Sequence, residues 1–113
     1  MLAKANRVSR PEDFRIAMRQ GRRAGAVFTV VHVVQRSSSE PVRFGFIVSK
    51  NVGGAVVRNR VRRRLRSACR ELLPTVRPGV DVVVRALPGS DAAAWDSLRS
   101  EVATAIGKSV SKG

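Results

Sequence analysis

Residues 56–69 read VVRNRVRRRLRSAC, a run that contains six arginines and no acidic residue. Apolar side chains recur through this run and just beyond it at intervals of four, four, three and four residues, at Val57, Val61, Leu65, Ala68 and Leu72. Because an α-helix turns by about 100° per residue, these positions share one face about 80° wide. The pattern predicts a helix that docks through a narrow apolar stripe and carries positive charge around the rest of its circumference.

A first helix is predicted near the N-terminus. Ser9-Arg10-Pro11-Glu12 has the spacing of a capping box with a proline in the opening turn. Phe14, Ala17 and Met18 follow at helical intervals, and Gly21 is the expected end of the helix.

The remaining segments predict strands and a closing helix. Residues 27–34, 43–49 and 80–85 are rich in β-branched or alternating apolar side chains and are interpreted as strands. Residues 35–41, QRSSSEP, predict a solvent-facing loop, and residues 91–106 predict a last helix with an apolar face. Since no repeat or linker divides the chain, residues 1–113 are expected to form one domain.

The charge balance restricts the kind of partner. The chain has 22 Lys and Arg against 8 Asp and Glu, a formal net charge of +14, and such an excess favours a polyanionic partner. Arginine favours phosphate, because the guanidinium is always protonated and holds two phosphate oxygens at once. A folded RNA fits better than DNA or a membrane surface, since no helix-turn-helix or zinc module is visible and the apolar stripe is narrow and rich in valine.

The titratable residues do not form a catalytic set. His32 is the only histidine, Cys69 is the only cysteine and is interpreted as a small buried hydrophobic residue, and the acids show no spacing that brings a pair together. We therefore expect no catalytic residue and no metal ligand in the protein itself. No stretch approaches the roughly 18 apolar residues of a membrane span, and no signal-peptide pattern is seen, so a soluble, cytoplasmic protein is expected.

Three short motifs follow one another within residues 44–72: Val48-Ser49-Lys50 at a strand end, Gly53-Gly54-Ala55-Val56 in a turn and Arg58-Asn59-Arg60 in the basic helix. In this order and at this spacing they resemble the protein component of bacterial ribonuclease P. The resemblance extends over nearly the whole chain, from Asp13-Phe14 in the first helix through the strands to the closing helix.

The resemblance implies both a fold and a function. The fold is a small α/β (α+β) sandwich like the second domain of ribosomal protein S5, with a mixed four-stranded sheet, about three helices and a left-handed βαβ crossover. The implied function is that of an RNA-binding subunit in a ribonucleoprotein that removes the 5′ leader of precursor tRNA by endonucleolytic cleavage. The RNA subunit would be the catalyst and would use Mg²⁺. The implied partners are that RNA subunit and precursor tRNA, with neither a membrane nor duplex DNA expected.

The resemblance also implies two sets of binding residues. The set that would face the catalytic RNA is Lys50, Arg58, Asn59, Arg60, Arg62, Arg63 and Arg66. The set that would touch the leader, in a cleft between the first helix and the sheet, is Phe14, Met18 and His32. The family often has an aromatic residue at the position of Met18 and tyrosine at that of His32, but histidine can also stack on a base.

Two other function classes remain compatible with the sequence. A ribosomal or architectural RNA-binding protein has the same size and charge. A DNA-binding or membrane-surface module is the third interpretation.

Overall fold

The computed structural model describes residues 2–37 and 39–111. Its regular elements are α1 Pro11–Gln20, β1 Arg22–Gly25, β2 Thr29–Gln35, β3 Arg43–Ile47, α2 Ala55–Leu72, β4 Val80–Ala86 and α3 Trp95–Ser111. Single turns of 3-10 helix occur at Lys4–Asn6, Leu73–Thr75 and Ser90–Ala92. Within the described residues, no helix is both long and apolar enough to cross a membrane.

The four strands form one mixed sheet in the order β1-β2-β4-β3. β2 pairs antiparallel with both β1 and β4, whereas β3 and β4 are parallel. A hairpin cannot join parallel neighbours, so α2 carries the chain from the end of β3 back to the start of β4. This architecture confirms the predicted α/β sandwich with a mixed four-stranded sheet and three helices. The hand of the β3–α2–β4 crossover stays a prediction.

The first strand was not predicted, and the second begins later than expected. β1 is four residues long and mostly exposed, so it has no alternation of apolar and polar side chains. Val27 lies in the turn before β2 and is 74% exposed. The Glu101 carboxylate of α3 accepts hydrogen bonds from the amides of Val27 and Phe28 and from the hydroxyl of Thr29. This long-range contact, which no local pattern contains, shapes the turn.

The predicted capping box at the start of α1 is wrong. Arg10 is the N-cap and its side chain makes no capping hydrogen bond, while Pro11 is the first helical residue. Proline suits that position because its φ is already helical and it lacks an amide proton that would need a partner. Gly21 ends the helix as predicted: its amide donates to the carbonyl of Ala17, and a Cβ at Gly21 would collide with that carbonyl oxygen.

α3 is shifted toward the C-terminus relative to the predicted residues 91–106. It starts at Trp95 and continues past Gly107 to Ser111. A glycine inside a helix costs about 1 kcal/mol relative to alanine. The added turn offsets this cost by packing, because Ser109 is buried and Val110 contacts the hydrophobic core.

α2 and α3 cover one face of the sheet. Their buried residues, including Leu65 and Leu98, join valines 31, 33, 82 and 84 of the two central strands in one core cluster. The apolar stripe predicted for α2 is confirmed: Val61, Leu65 and Ala68 are buried, whereas its two ends are half-buried. Cys69 is also buried, as predicted, and its burial raises the pKa of the thiol.

A buried ion pair holds α1 against the opposite face of the sheet. Arg43 of β3 donates from Nε to Asp81 Oδ1 of β4 at 2.8 Å and from Nη2 to Asp81 Oδ2 at 2.7 Å. The same Nη2 donates to Asp13 Oδ2 of α1 at 3.2 Å. The hydrogen bond to Asp81 raises the pKa of Arg43. One guanidinium therefore links α1 to the two parallel strands.

Candidate nucleic-acid interface

The predicted RNA-binding residues gather on the solvent side of α2 and at the end of β3. Asn59, Arg60, Arg63 and Arg66 are exposed. Arg58 and Arg62 are half-buried at the edge of the helix face, and Lys50 is exposed in the turn after β3. We call this surface the arginine face, defined as Lys50, Arg58, Asn59, Arg60, Arg62, Arg63 and Arg66.

Arg62 joins the two parts of the arginine face. Its Nη1 donates to Asn59 Oδ1 at 3.0 Å, and its Nη2 donates to the carbonyl of Val48 at 3.4 Å. Val48 lies two residues before Lys50, so these bonds link the helix to the turn that carries the lysine. Because the Asn59 oxygen is engaged, its amide nitrogen is left to donate outward.

Acidic residues do not neutralise the arginine face. Glu71, the only acid of α2, pairs with Arg99 of α3 at 3.5 Å, and Asp96 pairs with the same arginine at 3.7 Å. No residue of the arginine face has an ion-pair partner within residues 2–37 and 39–111. The first turn of α2 also lacks an acid, and its N-cap, Gly54, has no side chain that could accept a hydrogen bond from the first amides. The helix dipole therefore adds to an uncompensated positive field.

A shallow pocket of about 600 Å³ runs along this surface, lined by Asn59, Arg62, Arg63, Arg66 and Ser67. Its polar groups are guanidinium, amide and hydroxyl donors, which bind phosphate oxygens well. None of them can act as a general base at neutral pH. In the described part of the chain, no group of three or more His, Cys, Asp or Glu residues is placed to hold a metal ion.

Two of the three predicted leader-binding residues lie together on α1. Phe14 and Met18 are half-buried and share with Ile47 a depression of about 380 Å³. The ring of Phe14 lies close against β3, since a Cβ added to Gly45 would be 2.6 Å from Phe14 Cε1. The absence of a side chain at Gly45 therefore lets the ring approach the sheet.

His32 lies on the same face of the sheet, but apart from Phe14. The strand register places His32 opposite Val83, and Val83 opposite Gly45. Two steps between strands, about 10 Å in total, therefore separate His32 from the position beneath the Phe14 ring. His32 does not line the depression that Phe14 and Met18 share.

The surroundings of His32 are buried and cationic. His32 is 3% exposed, and neither of its ring nitrogens has a hydrogen-bond partner among the described residues. Burial, and next the charges of Arg85 and Arg23, lower the pKa of His32 below its ordinary value. The lowered pKa favours the neutral form of the imidazole.

Four arginines beside the predicted leader-binding residues were missed. Arg15 and Arg19 line the depression formed by Phe14 and Met18, and their i, i+4 spacing on α1 is a signal that sequence analysis could have used. Arg23 and Arg85 flank His32. Arg23 belongs to the unpredicted β1, so only the strand pairing brings it opposite the histidine.

Comparison with known proteins gives both a family and a fold. The family model described as Ribonuclease P matches residues 2–110. The Ribonuclease P protein component of Clavibacter michiganensis is 47% identical over 110 residues, which cover 97% of each chain. The solved structure of the Staphylococcus aureus RNase P protein has a TM-score of 0.82 at 23% identity and covers 95% of this chain and 99% of that one. The solved structure of the Thermotoga maritima RNase P protein has a TM-score of 0.80 at 20% identity. The match covers 90% of this chain and 96% of that one. Because the two solved structures are only 23% and 20% identical to this chain, they support its fold alone.

Proposed function

The chain belongs to the ribonuclease P protein family, and on that premise we propose that it is the protein subunit of a ribonucleoprotein that removes the 5′ leader of precursor tRNA. The observation that carries the proposal is the arginine face, a phosphate-binding surface with no acidic partner among the described residues. In this proposal the face binds the catalytic RNA, and the RNA subunit cleaves the precursor with Mg²⁺.

The chemistry of the arginine face supports a binding role. Guanidinium groups grip phosphate oxygens but do not activate water at neutral pH, because they stay protonated. Bound to a folded RNA, they would reduce the repulsion between phosphates that metal ions otherwise screen. The protein therefore contributes charge and position, while the reaction is left to the RNA.

The depression on α1 supports a second, separate contact with the leader. Phe14 offers an aromatic ring for stacking on a base, and Arg15 and Arg19 line the same depression. An aromatic platform beside cations is the combination that binds single-stranded nucleic acid with little sequence preference. Arg23 and Arg85, the two arginines that flank His32, extend the positive charge across the same side of the sheet.

We expect the protein to accelerate leader removal by purified catalytic RNA, with the largest effect at low Mg²⁺. The reason is that arginine charges replace part of the cation atmosphere that the RNA needs. The measurement is the single-turnover cleavage rate across a Mg²⁺ series, with and without protein. Cleavage by rigorously RNA-free protein would contradict the assignment of chemistry to the RNA. Equal rates with and without protein at every Mg²⁺ concentration would favour a ribosomal or architectural RNA-binding role.

Replacing Phe14 by alanine should lower the affinity of the assembled complex for precursor tRNA that carries a leader of several nucleotides. The expected loss is about 1 to 3 kcal/mol, the contribution of stacking one base on an aromatic ring. Affinity for a substrate with almost no leader should hardly change. The measurement is the ratio of the two dissociation constants for the assembled complex.

Ile16→Ala is the matched control for Phe14→Ala. Ile16 lies on the same helix, is 42% exposed and does not line the Phe14 depression. Its replacement should leave the leader preference unchanged. Because Phe14 also packs over Gly45, melting temperatures must show that the variant is folded. A folded Phe14→Ala complex that keeps the full preference for the longer leader would show that Phe14 does not contact it.

A further inference from the structure

A second aromatic side chain lies among arginines, at the junction of α2 and α3. Trp95 is the first residue of α3 and is half-buried. It lines a pocket of about 330 Å³ together with Arg60, Arg63, Arg64 and Ser67. The sequence pattern places Trp95 in the apolar face of the closing helix, which accounts for the buried part of the indole but not for the part that lines the pocket.

The pocket is strongly cationic. Three of its five lining residues are arginines and none is acidic. Arg64 Nη1 donates to the carbonyl of Ala93 at 3.3 Å, which holds this guanidinium beside the start of α3. Arg60 and Arg63 have no ion pair within the described part of the chain, and Glu71 and Asp96 both pair with Arg99. The pocket therefore attracts an anion.

The Trp95 pocket is continuous with the arginine face. Arg63 and Ser67 line both this pocket and the larger pocket along α2. Arg62 and Arg66, which also line the larger pocket, reach a small pocket beside Phe14. Trp95 and Phe14 thus lie toward opposite sides of one cationic band that crosses α2.

We propose that the Trp95 pocket binds one unpaired nucleobase of an RNA held by the arginine face, with the base stacked on the indole and its phosphates on Arg60 and Arg63. The proposal rests on the proposed function only in requiring that the arginine face bind RNA. Every base has a face that can stack on an aromatic ring, whereas the bases of a continuous duplex are stacked on one another and cannot reach the indole. The occupant is therefore a bulged or looped nucleotide.

Trp95 reports on its own pocket, because it is the only tryptophan of the chain. The probes are two RNA hairpins with the same stem, each closed by a linker without nucleobases in place of a nucleotide loop, one carrying a single bulged adenosine and one fully paired. At saturation, the bulged hairpin should quench Trp95 fluorescence and the paired hairpin should change it little. Equal quenching by both hairpins, or no quenching by either when both are bound, would overturn the proposal.

Two substitutions separate stacking from packing. Trp95→Leu keeps an apolar side chain against α2 but removes the aromatic ring, whereas Trp95→Phe keeps a smaller ring. We expect Trp95→Leu to bind the bulged hairpin about 5- to 150-fold less tightly than wild type, with Trp95→Phe in between. All three proteins should bind the paired hairpin equally. Thermal melts establish that each variant is folded. The fluorescence test uses only the wild-type protein, so it does not depend on how the variants fold.

An arginine variant distinguishes failure of this proposal from failure of the proposed function. Arg66 belongs to the arginine face but does not line the Trp95 pocket. The Arg66→Ala substitution should therefore weaken binding of both hairpins. If it does so while Trp95→Leu binds both hairpins like wild type, the arginine face binds RNA and the proposal for Trp95 is wrong. If Arg66→Ala and Trp95→Leu both bind like wild type, both proposals are overturned.

Discussion

Replacing Asp81 by asparagine is expected to lower the free energy of unfolding by about 3 kcal/mol. The Asp81 side chain is 3% exposed and accepts two hydrogen bonds from Arg43. Removing one partner of a buried ion pair is costly, because the remaining charge is left without compensation. Asp13, which Arg43 also contacts, keeps the loss near the lower end of the usual range of about 3 to 5 kcal/mol. Denaturant unfolding followed by circular dichroism measures the change.

Asp96→Asn is the control for Asp81→Asn. It removes the same charge from a carboxylate that is 85% exposed and lies 3.7 Å from its arginine partner. An exposed pair of this kind contributes about 0 to 1 kcal/mol to stability. The Asp96→Asn variant should therefore unfold at nearly the same denaturant concentration as wild type. If both variants unfold at the same denaturant concentration, the buried Arg43–Asp81 pair does not stabilise the fold in the way the geometry indicates.

Raising the salt concentration from about 50 to about 200 mM is expected to weaken binding of the catalytic RNA by about a thousandfold. The arginine face carries six cationic side chains. If each neutralises one phosphate, bound counterions are released on association, and the logarithm of the binding constant falls steeply with the logarithm of the salt concentration. Filter binding or fluorescence anisotropy across a salt series measures this slope. A nearly flat slope would contradict a phosphate interface.

Single arginine variants locate the charges that set this slope. Arg63→Ala should weaken binding and reduce the slope by about one, with little change in stability because the side chain is exposed. Arg77→Ala is the control, since Arg77 is an exposed arginine that bonds to Gln35 and to the carbonyl of Val110 and lies outside the arginine face. Equal slopes for the two variants would show that the contacts are not concentrated on α2.

Local patterns predicted the basic helix well, because the relevant information repeats within a few turns. The spacing of Val61, Leu65 and Ala68 identifies the face that packs on the sheet, and all three are buried. The arginines between them necessarily project elsewhere. The motifs around Lys50 and Arg58-Asn59-Arg60 were sufficient to place the chain in its family, and the family carried the fold.

Elements whose formation depends on distant residues were missed or misplaced. β1 has no apolar pattern and exists because it pairs with β2. The start of β2 is shaped by Glu101, more than 70 residues away in sequence. α3 passes through Gly107 because its last turn is packed against the core. In each case a long-range contact outweighed the local preference of the residues.

Reasoning from the residues alone predicted a cationic helix with one docking face, a single core and, from three ordered motifs, the family of the chain. Local periodicity sets the helix and its docking face, because it decides which side chains can be buried together. The packing of distant elements was needed to place Asp81 beneath α1 in an ion pair, His32 beside Arg23 and Arg85 but apart from Phe14, and Trp95 next to the arginine face. Each of these arrangements joins residues from different elements, and the contacts that bring them together depend on how the sheet and helices pack, which no short window of sequence contains.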